Sequence, residues 1–537
     1  MSNILDSFYA HPFSYVALSV CVSTLVTLVC CWPTRIGGRS RNNRIAPSYF
    51  AAPAIVATAA LFIWSLIVFF PLDFGHKDEL AILTAPVNAQ IFSGRYFPLG
   101  HAEFNYLKLS SDGKNLYVLY ILPALQLVLF FFLVDRLISP AHLWMRVFTM
   151  LIAFWVGAVI SFTNLIIPER NAVILILMSI LFLKKYMEDK SPRFACLSVA
   201  TMALSLFYKE PVFVLPLAFV GAAASVTAID KLTQRTNINC GVWPLIAGYT
   251  LSAVSFLSGY LFYTYYKGSP STFYGGTGGD HYTDFLWTYS WMIPVLPLSI
   301  FVFLISVASV RQSRVERLLI ATFSLGAFGY TLAMAMLKMP TNGYYLSIPL
   351  LLAIIASSLI LNRIDLFPIK MRRTNLSMDR LVYVITATLA VFVVVGISPL
   401  ILRDIKSKKN VAERFNFIRT ALRDVPSAQN VLFKTSNPTY GTYQTAVVMI
   451  FLDTSNITHQ FTIRSESGCD PWNTTYKSDK IRCKPTSDLE KVEYDVIIAD
   501  GVRLNETMPG FDVVSNESES PDDLPIYVAT RSQRLLN

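Results

Sequence analysis

The sequence predicts a polytopic α-helical membrane protein with a small α/β domain outside the membrane at its C-terminal end. Apolar residues make up 53% of the 537 residues and charged residues only 15%, and the mean hydropathy is +0.47. Such a composition excludes an ordinary soluble or disordered protein. Apolar runs of the length that a membrane-spanning helix needs, roughly 18 to 25 residues, recur between about Ser14 and Leu402.

These runs divide residues 1–403 into twelve predicted membrane spans. The pattern is not that of an outer-membrane barrel, whose strands alternate apolar and polar residues. The first run lacks a preceding basic stretch and is followed by arginines, so we interpret it as a retained span rather than a cleaved signal peptide. The predicted spans lie near 14–32, 51–71, 116–134, 146–166, 171–186, 194–208, 211–229, 243–265, 286–310, 317–337, 343–361 and 381–402.

Positive charges between the spans predict the orientation of the chain. The net charge is +10 at pH 7, but Lys and Arg occur in short clusters that orient a membrane chain, so no nucleic-acid partner is needed. The clusters follow the odd-numbered spans, which places them in the cytoplasm. The 72–115 loop, the turns at 166–170 and 208–211, the 267–285 loop and everything after Arg403 then lie outside, as does the N-terminus. The clusters contain Arg35, Arg39, Arg41, Arg44, Arg136, Lys184, Lys185, Lys190, Arg193, Lys231, Arg235, Arg311, Arg314, Arg317, Arg363, Lys370, Arg372, Arg373 and Arg380.

Residues 404–537 form a predicted separate domain on the outer side. Their composition is polar and rich in Ser, Asn and Asp, with no run long enough to span. Val411, Phe415, Ile418 and Leu422 form one apolar stripe of a helix. Runs rich in β-forming residues follow, so we expect a small α/β layer structure. The predicted strands are 430–434, 446–452, 460–464, 494–499 and 526–530.

Two of the seven cysteines lie in this outer domain. A disulfide between Cys469 and Cys483 fits an oxidising compartment, and two unpaired thiols are the alternative. Four Asn-X-Ser/Thr triplets leave open a glycoprotein of the endoplasmic reticulum, although a Ser/Thr/Asn-rich domain generates such triplets by chance. The triplets begin at Asn456, Asn473, Asn505 and Asn516.

Charged residues open the longest early outer loop, 72–115. His76, Lys77, Asp78 and Glu79 follow directly on a membrane boundary. Adjacent residues on a helix point about 100° apart, so we expect one of the two carboxylates to act and the other to support it. A carboxylate here suits a general base that accepts a proton from a hydroxyl nucleophile. The alternative is a set of solvated interfacial charges that only terminate a span.

Three cations are candidates for binding a phosphate at the membrane surface. Arg95 lies with His101 in the run SGRYFPLGHAEFN, and a guanidinium suits a phosphodiester. Lys209 and Glu210 occupy the tight outer turn YKEP, where an ionic pair must face the bundle or its mouth. The alternative there is a salt bridge that caps two helices. Lys338 closes another span, where a snorkelling lysine is the simpler interpretation.

A glycine-rich outer loop precedes Asp280 and His281. Its run GGTGGDHY lacks the GxxxxGK[ST] pattern of a P-loop, so a plain mobile loop is favoured over a phosphate cradle. The sequence has only six histidines, and it shows no metal-ligand spacing, nucleophile elbow or dinucleotide fingerprint. Membrane-embedded transfer chemistry and transport remain as function classes.

In this architecture the chain resembles the GT-C superfamily of glycosyltransferases that use lipid-linked sugars. The resemblance rests on the many spans, the acidic pair in GHKDEL, the GRY segment of the same loop, the tight charged outer turns and the polar C-terminal domain. It implies a polyprenyl-phosphate sugar donor that enters laterally from the lipid. In the family an acidic residue of the first outer loop acts as a base or binds a metal, a role that maps here to Asp78 or Glu79. A divalent metal ion is thus allowed but not required. The chain departs from the simplest family pattern by an extra span before that loop.

The resemblance implies a membrane glycosyltransferase that moves one sugar to a hydroxyl of a cell-envelope glycan, a glycolipid or, less favoured, a protein. Direct displacement with inversion at the anomeric carbon is the simplest stereochemistry. We expect a bacterial inner membrane, with the active site and the C-terminal domain facing the periplasm. A transporter or flippase is the competing class, but the two halves show no convincing repeat and the strong charges lie at outer span ends. A third interpretation is a non-catalytic assembly partner that binds a polymer.

Overall fold

The computed structural model describes the helices and strands of the chain and some of the turns that connect them. The chain divides into two compact units. The first, here called the helical unit, comprises residues 1–64, 88–103 and 120–404, and the second, the C-terminal unit, comprises residues 65–87, 104–119 and 405–537. The described residues are 12–31, 51–69, 96, 98–100, 102–103, 116–138, 143–165, 167–233, 241–262, 293–309, 312–336, 343–362, 378–423, 430–435, 461–465, 481–485, 496–500, 511–517 and 526–531.

The described α-helices are named in chain order. They are α1 Pro12–Cys31, α2 Ala51–Phe69, α3 Leu116–Ile138, α4 Leu143–Gly157, α5 Val159–Thr163, α6 Glu169–Asp189, α7 Pro192–Leu206, α8 Val214–Leu232, α9 Trp243–Leu261, α10 Val295–Ala308, α11 Arg314–Met336, α12 Ser347–Leu361 and α13 Met378–Arg423. Short 3₁₀ helices at Glu210–Phe213 and Gly343–Leu346 lead into α8 and α12.

Local sequence explains where some of these helices begin. Pro192 opens α7, where its missing N–H leaves no hydrogen bond unmade. Ser313 and Glu316 form a capping box at the start of α11. The Ser313 N–H donates to Glu316 Oε2 at 3.1 Å, and the Glu316 N–H donates to Ser313 Oγ at 3.3 Å. These caps satisfy backbone donors that the first helical turn leaves without partners.

The short turns between helices define two ends of the helical unit. Lys190 and Ser191 alone join α6 to α7, and the two helices pack side by side, so they run antiparallel. The end at which α6 begins and α7 ends is called the site end below. The end with the turn at Lys190 is called the opposite end.

Ion pairs and a side-chain cap hold helices together at the opposite end. Arg146 near the start of α4 donates from Nε and Nη2 to the two carboxylate oxygens of Asp135 near the end of α3, at 2.7 and 2.6 Å. Lys184 Nζ of α6 donates to the backbone carbonyl of Arg136 at 3.2 Å. A bidentate pair of this kind gives geometric specificity as well as energy.

Helices in the helical unit bury small polar residues and expose apolar ones, which is the inverse of the pattern in soluble proteins. On α1, Ser19, Ser23 and Thr27 are buried at four-residue spacing, whereas Leu25 is 60% exposed. Small and polar residues at this spacing let helix backbones approach closely, while apolar outer faces suit lipid. Helix α1 packs against α7 and α9, and Thr27 lies against Gly248 of α9. The pattern is that of helices packed inside a bilayer.

Six helices among the described residues are long and apolar enough to cross a membrane. Helices lie at each position where the sequence predicts a span, but the count of twelve spans stays a prediction. The six are Leu119–Ile138, Glu210–Leu232, Trp243–Leu261, Arg314–Met336, Tyr344–Leu361 and Tyr383–Lys406. Shorter apolar helices are Tyr15–Cys31, Pro53–Val68, Leu143–Gly157, Pro192–Leu206 and Val295–Ala308.

We expect Gly248→Ala to lower the thermal stability of the purified chain in detergent. A Cβ atom at Gly248 would lie 2.7 Å from Val199 Cγ2 and would also clash with Thr27, and overpacking of this kind costs about 1–3 kcal/mol. Gly221→Ala in α8 is the matched control, because its added Cβ meets only Leu325 Cδ1 at 4.0 Å. Equal melting temperatures for the two variants would contradict the close approach of α1, α7 and α9.

Helix α13 differs from the sequence prediction, which separates a span at 381–402 from an apolar stripe at 411–422. The structure has one continuous helix from Met378 to Arg423 with Pro399 inside it. The polar stretch after residue 402 therefore does not end the helix, because Lys, Arg and Glu are good helix formers.

The C-terminal unit contains a six-stranded mixed sheet. Its order is β3-β2-β1-β4-β6-β5, with β3, β2, β1 and β4 parallel and with β6 antiparallel to both β4 and β5. Residues Val496–Ile498 of the inner strand β4 are buried. The strands are β1 Asn430–Thr435, β2 Phe461–Ser465, β3 Ile481–Pro485, β4 Val496–Asp500, β5 Phe511–Glu517 and β6 Ile526–Arg531.

Two strands, β3 and β5, are not predicted by the sequence, and the predicted strand at 446–452 lies outside the described residues. Both missed strands carry polar residues that weaken a β pattern, such as Lys484 and Asn516. Cys483 lies in β3, opposite Ile463 of β2, and Cys469 lies outside the described residues. The disulfide and the α/β domain at 404–537 both stay predictions.

Candidate active site

Four segments meet at the site end of the helical unit. They are the start of α6, the turn after α7, the 3₁₀ helix before α12 and the described residues of 96–103. The Leu99 N–H donates to the Phe207 carbonyl at 3.1 Å, and the Lys209 ammonium lies 4.2 Å from the centre of the Tyr345 ring. A hydroxyl contact of 3.1 Å also joins Ser161 of α5 to Ser347, the first residue of α12. Side chains from distant parts of the sequence therefore converge at this end.

A buried ion pair joins Glu169 to Lys209. Lys209 Nζ lies 2.8 Å from Glu169 Oε1, and the side chains are 3% and 0% exposed, respectively. Glu169 is the first residue of α6, where a carboxylate is favoured by the helix dipole. Neither of its oxygens accepts a hydrogen bond of good geometry from the described residues. The carboxylate therefore has acceptor capacity beyond its contact with Lys209.

A second buried network centres on Glu103. The Asn171 amide donates to Glu103 Oε1, and Gln126 Nε2 donates to Asn171 Oδ1 at 2.6 Å. Arg170 Nη2 lies 3.5 Å from the same Glu103 oxygen, and its Nη1 donates to the Asn164 carbonyl at 3.1 Å. The amide chain and the guanidinium hold the Glu103 carboxyl in one orientation.

We define the site cluster as these two networks together. It contains Glu103, Gln126, Glu169, Arg170, Asn171, Lys209 and Tyr345. Glu169 and Arg170 are adjacent in α6, so the two networks share one helix start. An apolar bundle thus carries two carboxylates, two cations and two amides at one end.

Burial raises the pKa of Glu103, and the nearby Arg170 guanidinium and the Asn171 hydrogen bond only partly offset this effect. Burial also raises the pKa of the Tyr208 hydroxyl, and the Glu103 carboxylate raises it further. The Glu103 side chain is nonetheless 15% exposed. The Oε2 atom of its carboxyl is buried.

The raised pKa of Glu103 predicts a pH dependence of stability. In the unfolded chain the carboxyl titrates near its ordinary value of 4.5, so its stabilising contribution is complete below that value and is lost as pH rises through the higher folded pKa. Relative to Glu103→Gln, the wild type should therefore lose thermal stability as the pH rises from about 5 to about 8. Glu188→Gln, at an exposed pair with Lys185, is the control. A difference that stays flat, or that moves in favour of the wild type, would contradict the prediction.

Only two of the sequence-predicted site residues lie among the described residues. Lys209 and Glu210 both have buried side chains, and Lys209 pairs with Glu169 from a different helix. The assigned base, donor-binding and loop residues lie outside the described residues, and their roles stay predictions. They are His76, Lys77, Asp78, Glu79, Arg95, His101, Asp280, His281 and Lys338.

Sequence reasoning missed most of the site cluster. Glu169 and Arg170 stand in IIPERN, a short charged turn between two apolar runs, which is the same signal that singled out YKEP. Glu103 lies in the run SGRYFPLGHAEFN, in which the sequence prediction names Arg95 and His101 instead. The sequence does not mark Gln126 and Asn171 as site residues, because a single amide residue in an apolar run forms no recognisable motif.

A metal site is not formed by the described part of the chain. No group of three or more His, Cys, Asp or Glu side chains is close enough there to hold a metal ion. Glu103 and Glu169 each already face a cation. The acidic and histidine residues at 76–79, where the family resemblance allows a metal, lie outside the described residues.

Comparison with known proteins gives structural similarity alone. No family model matches the chain, and no curated protein matches it. The chain is similar to ArnT from Cupriavidus metallidurans bound to undecaprenyl phosphate, with a TM-score of 0.47 and 10% identity over 91% of this chain and 99% of that one. It is also similar to the arabinosyltransferase EmbB from Mycobacterium smegmatis, with a TM-score of 0.37 and 14% identity over 72% of this chain and 44% of that one.

Proposed function

We propose that the chain is a membrane glycosyltransferase of the GT-C type. It moves a sugar from a polyprenyl-phosphate donor to a hydroxyl of a cell-envelope glycan or lipid acceptor on the outer side of the membrane. The observation that carries the proposal is the site cluster, in which a fully buried carboxylate, Glu169, and a buried ammonium, Lys209, meet at one end of an apolar bundle.

The energetics of buried charges favour a function for this cluster over a purely structural role. Removing ions from water is costly, and well-packed apolar residues often replace a buried ion pair without loss of stability. Ionisable groups retained within a membrane bundle are therefore functional candidates. The spare acceptor capacity of Glu169 suits the hydroxyl groups of a sugar, which are hydrogen-bond donors.

The proposed reaction breaks the bond between the anomeric carbon and the phosphate oxygen of the donor. The acceptor oxygen forms the new bond to that carbon, its proton passes to a carboxylate, and polyprenyl phosphate leaves with additional negative charge. Lys209 and Arg170 stabilise this charge, since preorganised cations act most strongly in a site of low dielectric. Arg95 and Lys338 are further candidates for the phosphate.

Asp78 or Glu79 is the proposed base, and Glu103 is a second candidate from the same loop. Among the described residues, Glu103 Oε2 has no hydrogen-bond partner, while its other oxygen is held by Asn171. A carboxyl that is oriented through one oxygen leaves the other oxygen able to take the proton of the acceptor hydroxyl. Its raised pKa brings it closer to the range in which a general base works best.

The proposed setting is a bacterial inner membrane with the site end facing the periplasm. The clusters of Lys and Arg at the other ends of the spans support this orientation through the positive-inside rule. Residues 404–537 are then a periplasmic domain, and a lipid-linked donor reaches the site end from within the bilayer. An endoplasmic-reticulum membrane is the alternative setting.

Membrane vesicles that contain the full chain and a radiolabelled polyprenyl-phosphate sugar test the proposal. Covalent transfer of label to an acceptor indicates the enzyme. Label that becomes protected from an external glycosidase while still attached to its lipid indicates a flippase instead. Vesicles prepared in the same way without the chain serve as the control for background transfer.

A further inference from the structure

Two amide side chains connect the apolar helix α3 to the Glu103 carboxyl. Gln126 of α3 donates from Nε2 to Asn171 Oδ1 at 2.6 Å, and the Asn171 amide of α6 donates to Glu103 Oε1. Asn171 is 6% exposed, so water has little access to the middle of this chain. We call Gln126 and Asn171 the amide relay.

The charge of Glu103 sets the direction of both hydrogen bonds in the relay. An ionised carboxylate only accepts hydrogen bonds, so Asn171 must turn its NH₂ group towards Glu103. The Asn171 oxygen then faces Gln126, and Gln126 must turn its own NH₂ group towards that oxygen. The donors and acceptors in the structure follow this order. The relay is therefore arranged for the ionised form of Glu103.

A protonated Glu103 would allow the opposite direction. Its O–H group would donate to Asn171 Oδ1, and Asn171 Nδ2 would then donate to Gln126 Oε1. That Gln126 oxygen is buried and has no hydrogen-bond partner among the described residues, so it is available for such a bond. Each direction of the relay thus belongs to one charge state of Glu103.

The two oxygens of the Glu103 carboxyl have different surroundings. Oε1 accepts the Asn171 hydrogen bond and lies 3.5 Å from Arg170 Nη2. Oε2 is buried, and no described residue donates a hydrogen bond to it. Hydrogen bonds in a chain polarise one another, so the bond from Gln126 makes Asn171 a stronger donor to Oε1. Gln126 thus helps to hold one oxygen and leaves the other able to act on a substrate.

We propose that Gln126 is a positioning residue, which acts through Asn171 to fix the orientation of the Glu103 carboxyl and to favour its ionised form. The inference rests on the proposed function, in which Glu103 is a candidate for the base. Removal of the Gln126 donor frees the Asn171 amide to turn over. This weakens the hydrogen bond to Oε1 and disfavours the carboxylate, because a hydrogen bond to the charged form is what stabilises it.

Two other groups that face Glu103 also bear on its titration. Burial raises the pKa of Glu103, and the Arg170 guanidinium lowers it in part. Burial and the Glu103 charge both raise the pKa of the Tyr208 hydroxyl, so this hydroxyl stays neutral where the carboxyl titrates. Arg170 and Tyr208 are unchanged in the variants below. A difference between those variants therefore reports on the relay.

The test is an infrared titration of the purified full chain in detergent. Isotope-labelled glutamate separates the carboxyl bands from the amide bands, and the band that disappears in Glu103→Gln is assigned to Glu103. Gln126→Met keeps the length of the side chain but has no donor, so the titration midpoint of Glu103 should rise by roughly 0.3–1 pH unit. Gln126→Leu, which suits an apolar helix, should move the midpoint in the same direction.

Gln312→Met is the matched control. Gln312 precedes α11 at the opposite end, and its Oε1 is likewise buried with no partner among the described residues. This replacement should leave the Glu103 midpoint unchanged, and an equal rise would overturn the proposal. Thermal unfolding curves show whether each variant is folded. Loss of folding in both Gln126 variants would assign the relay a structural role and would also overturn the proposal.

The pH dependence of sugar transfer separates positioning from packing. In the Gln126 variants the acid limb of kcat/KM should move to higher pH by the same amount as the midpoint, whereas lost packing would lower the rate equally at every pH. An unchanged midpoint, or a raised midpoint with an unmoved acid limb, would overturn the role of Gln126. Absence of transfer in the wild type would instead contradict the proposed function, while the infrared midpoints would still show whether the relay acts on Glu103.

Discussion

Replacing Lys209 with Met is expected to destabilise the chain by about 3–5 kcal/mol, the usual cost of leaving one partner of a buried ion pair without the other. The Glu169 carboxylate would remain fully buried beside an apolar side chain. Because the ammonium also lies over the Tyr345 ring, its loss removes a cation–π contact as well. Thermal unfolding in detergent measures the loss, with Lys185→Met at an exposed pair as the matched control.

The double variant Lys209→Met/Glu169→Gln distinguishes a structural pair from a functional one. It removes both charges together, so most of the lost stability should return. Sugar transfer should stay at least about 10²-fold below wild type, the effect typical of losing one preorganised donor that faces developing charge. A wild-type rate of sugar transfer in a double variant that folds normally would show that the pair has only a structural role, in which it joins α6 to the turn after α7.

Asp78→Asn or Glu79→Gln should lower turnover by about 10²–10⁴-fold, the usual contribution of a general base. The amides keep the shape of the side chains but cannot accept the acceptor's proton. Folding and donor binding should change little, so the effect should appear in kcat with the KM for the lipid donor nearly constant. Asp112→Asn, elsewhere in the 72–115 loop, is the control.

Full activity in both single variants would remove Asp78 and Glu79 from the mechanism. The role of base would then pass to Glu103, which the structure places beside Arg170 and Asn171. Glu103→Gln should in that case show the kcat loss expected above. Its raised pKa predicts that wild-type activity then increases with pH through the folded pKa, because the base must be ionised to accept a proton.

The helices were the most predictable part of this chain. Most of them coincide with apolar runs, and a bilayer demands a long apolar run wherever a helix crosses. The bounds were less predictable, as α13 shows, because a helix continues into polar sequence once its first turns are formed. In the C-terminal unit, β3 and β5 were missed because neighbouring strands, and not their own polar residues, decide their pairing.

The site was less predictable than the fold, for a physical reason. YKEP indicated that charge enters the bundle at Lys209, but a sequence does not show which distant carboxylate pairs with a buried cation. Glu169 lies 40 positions away in the sequence and meets Lys209 only because α6 and α7 run antiparallel. Gln126 and Asn171 acquire a role only through their contacts with each other and with Glu103.

The most direct test of the proposed function is the stoichiometry of transfer in proteoliposomes of known orientation. The purified full chain is supplied with a doubly labelled donor, one label in the sugar and the other in the polyprenyl phosphate, and with an acceptor confined to the outer side. The proposed function predicts one polyprenyl phosphate released for each sugar joined to the acceptor, and release at least about 10²-fold slower in the folded Lys209→Met/Glu169→Gln variant. Movement of both labels together across the membrane, with no new glycosidic bond, would contradict it.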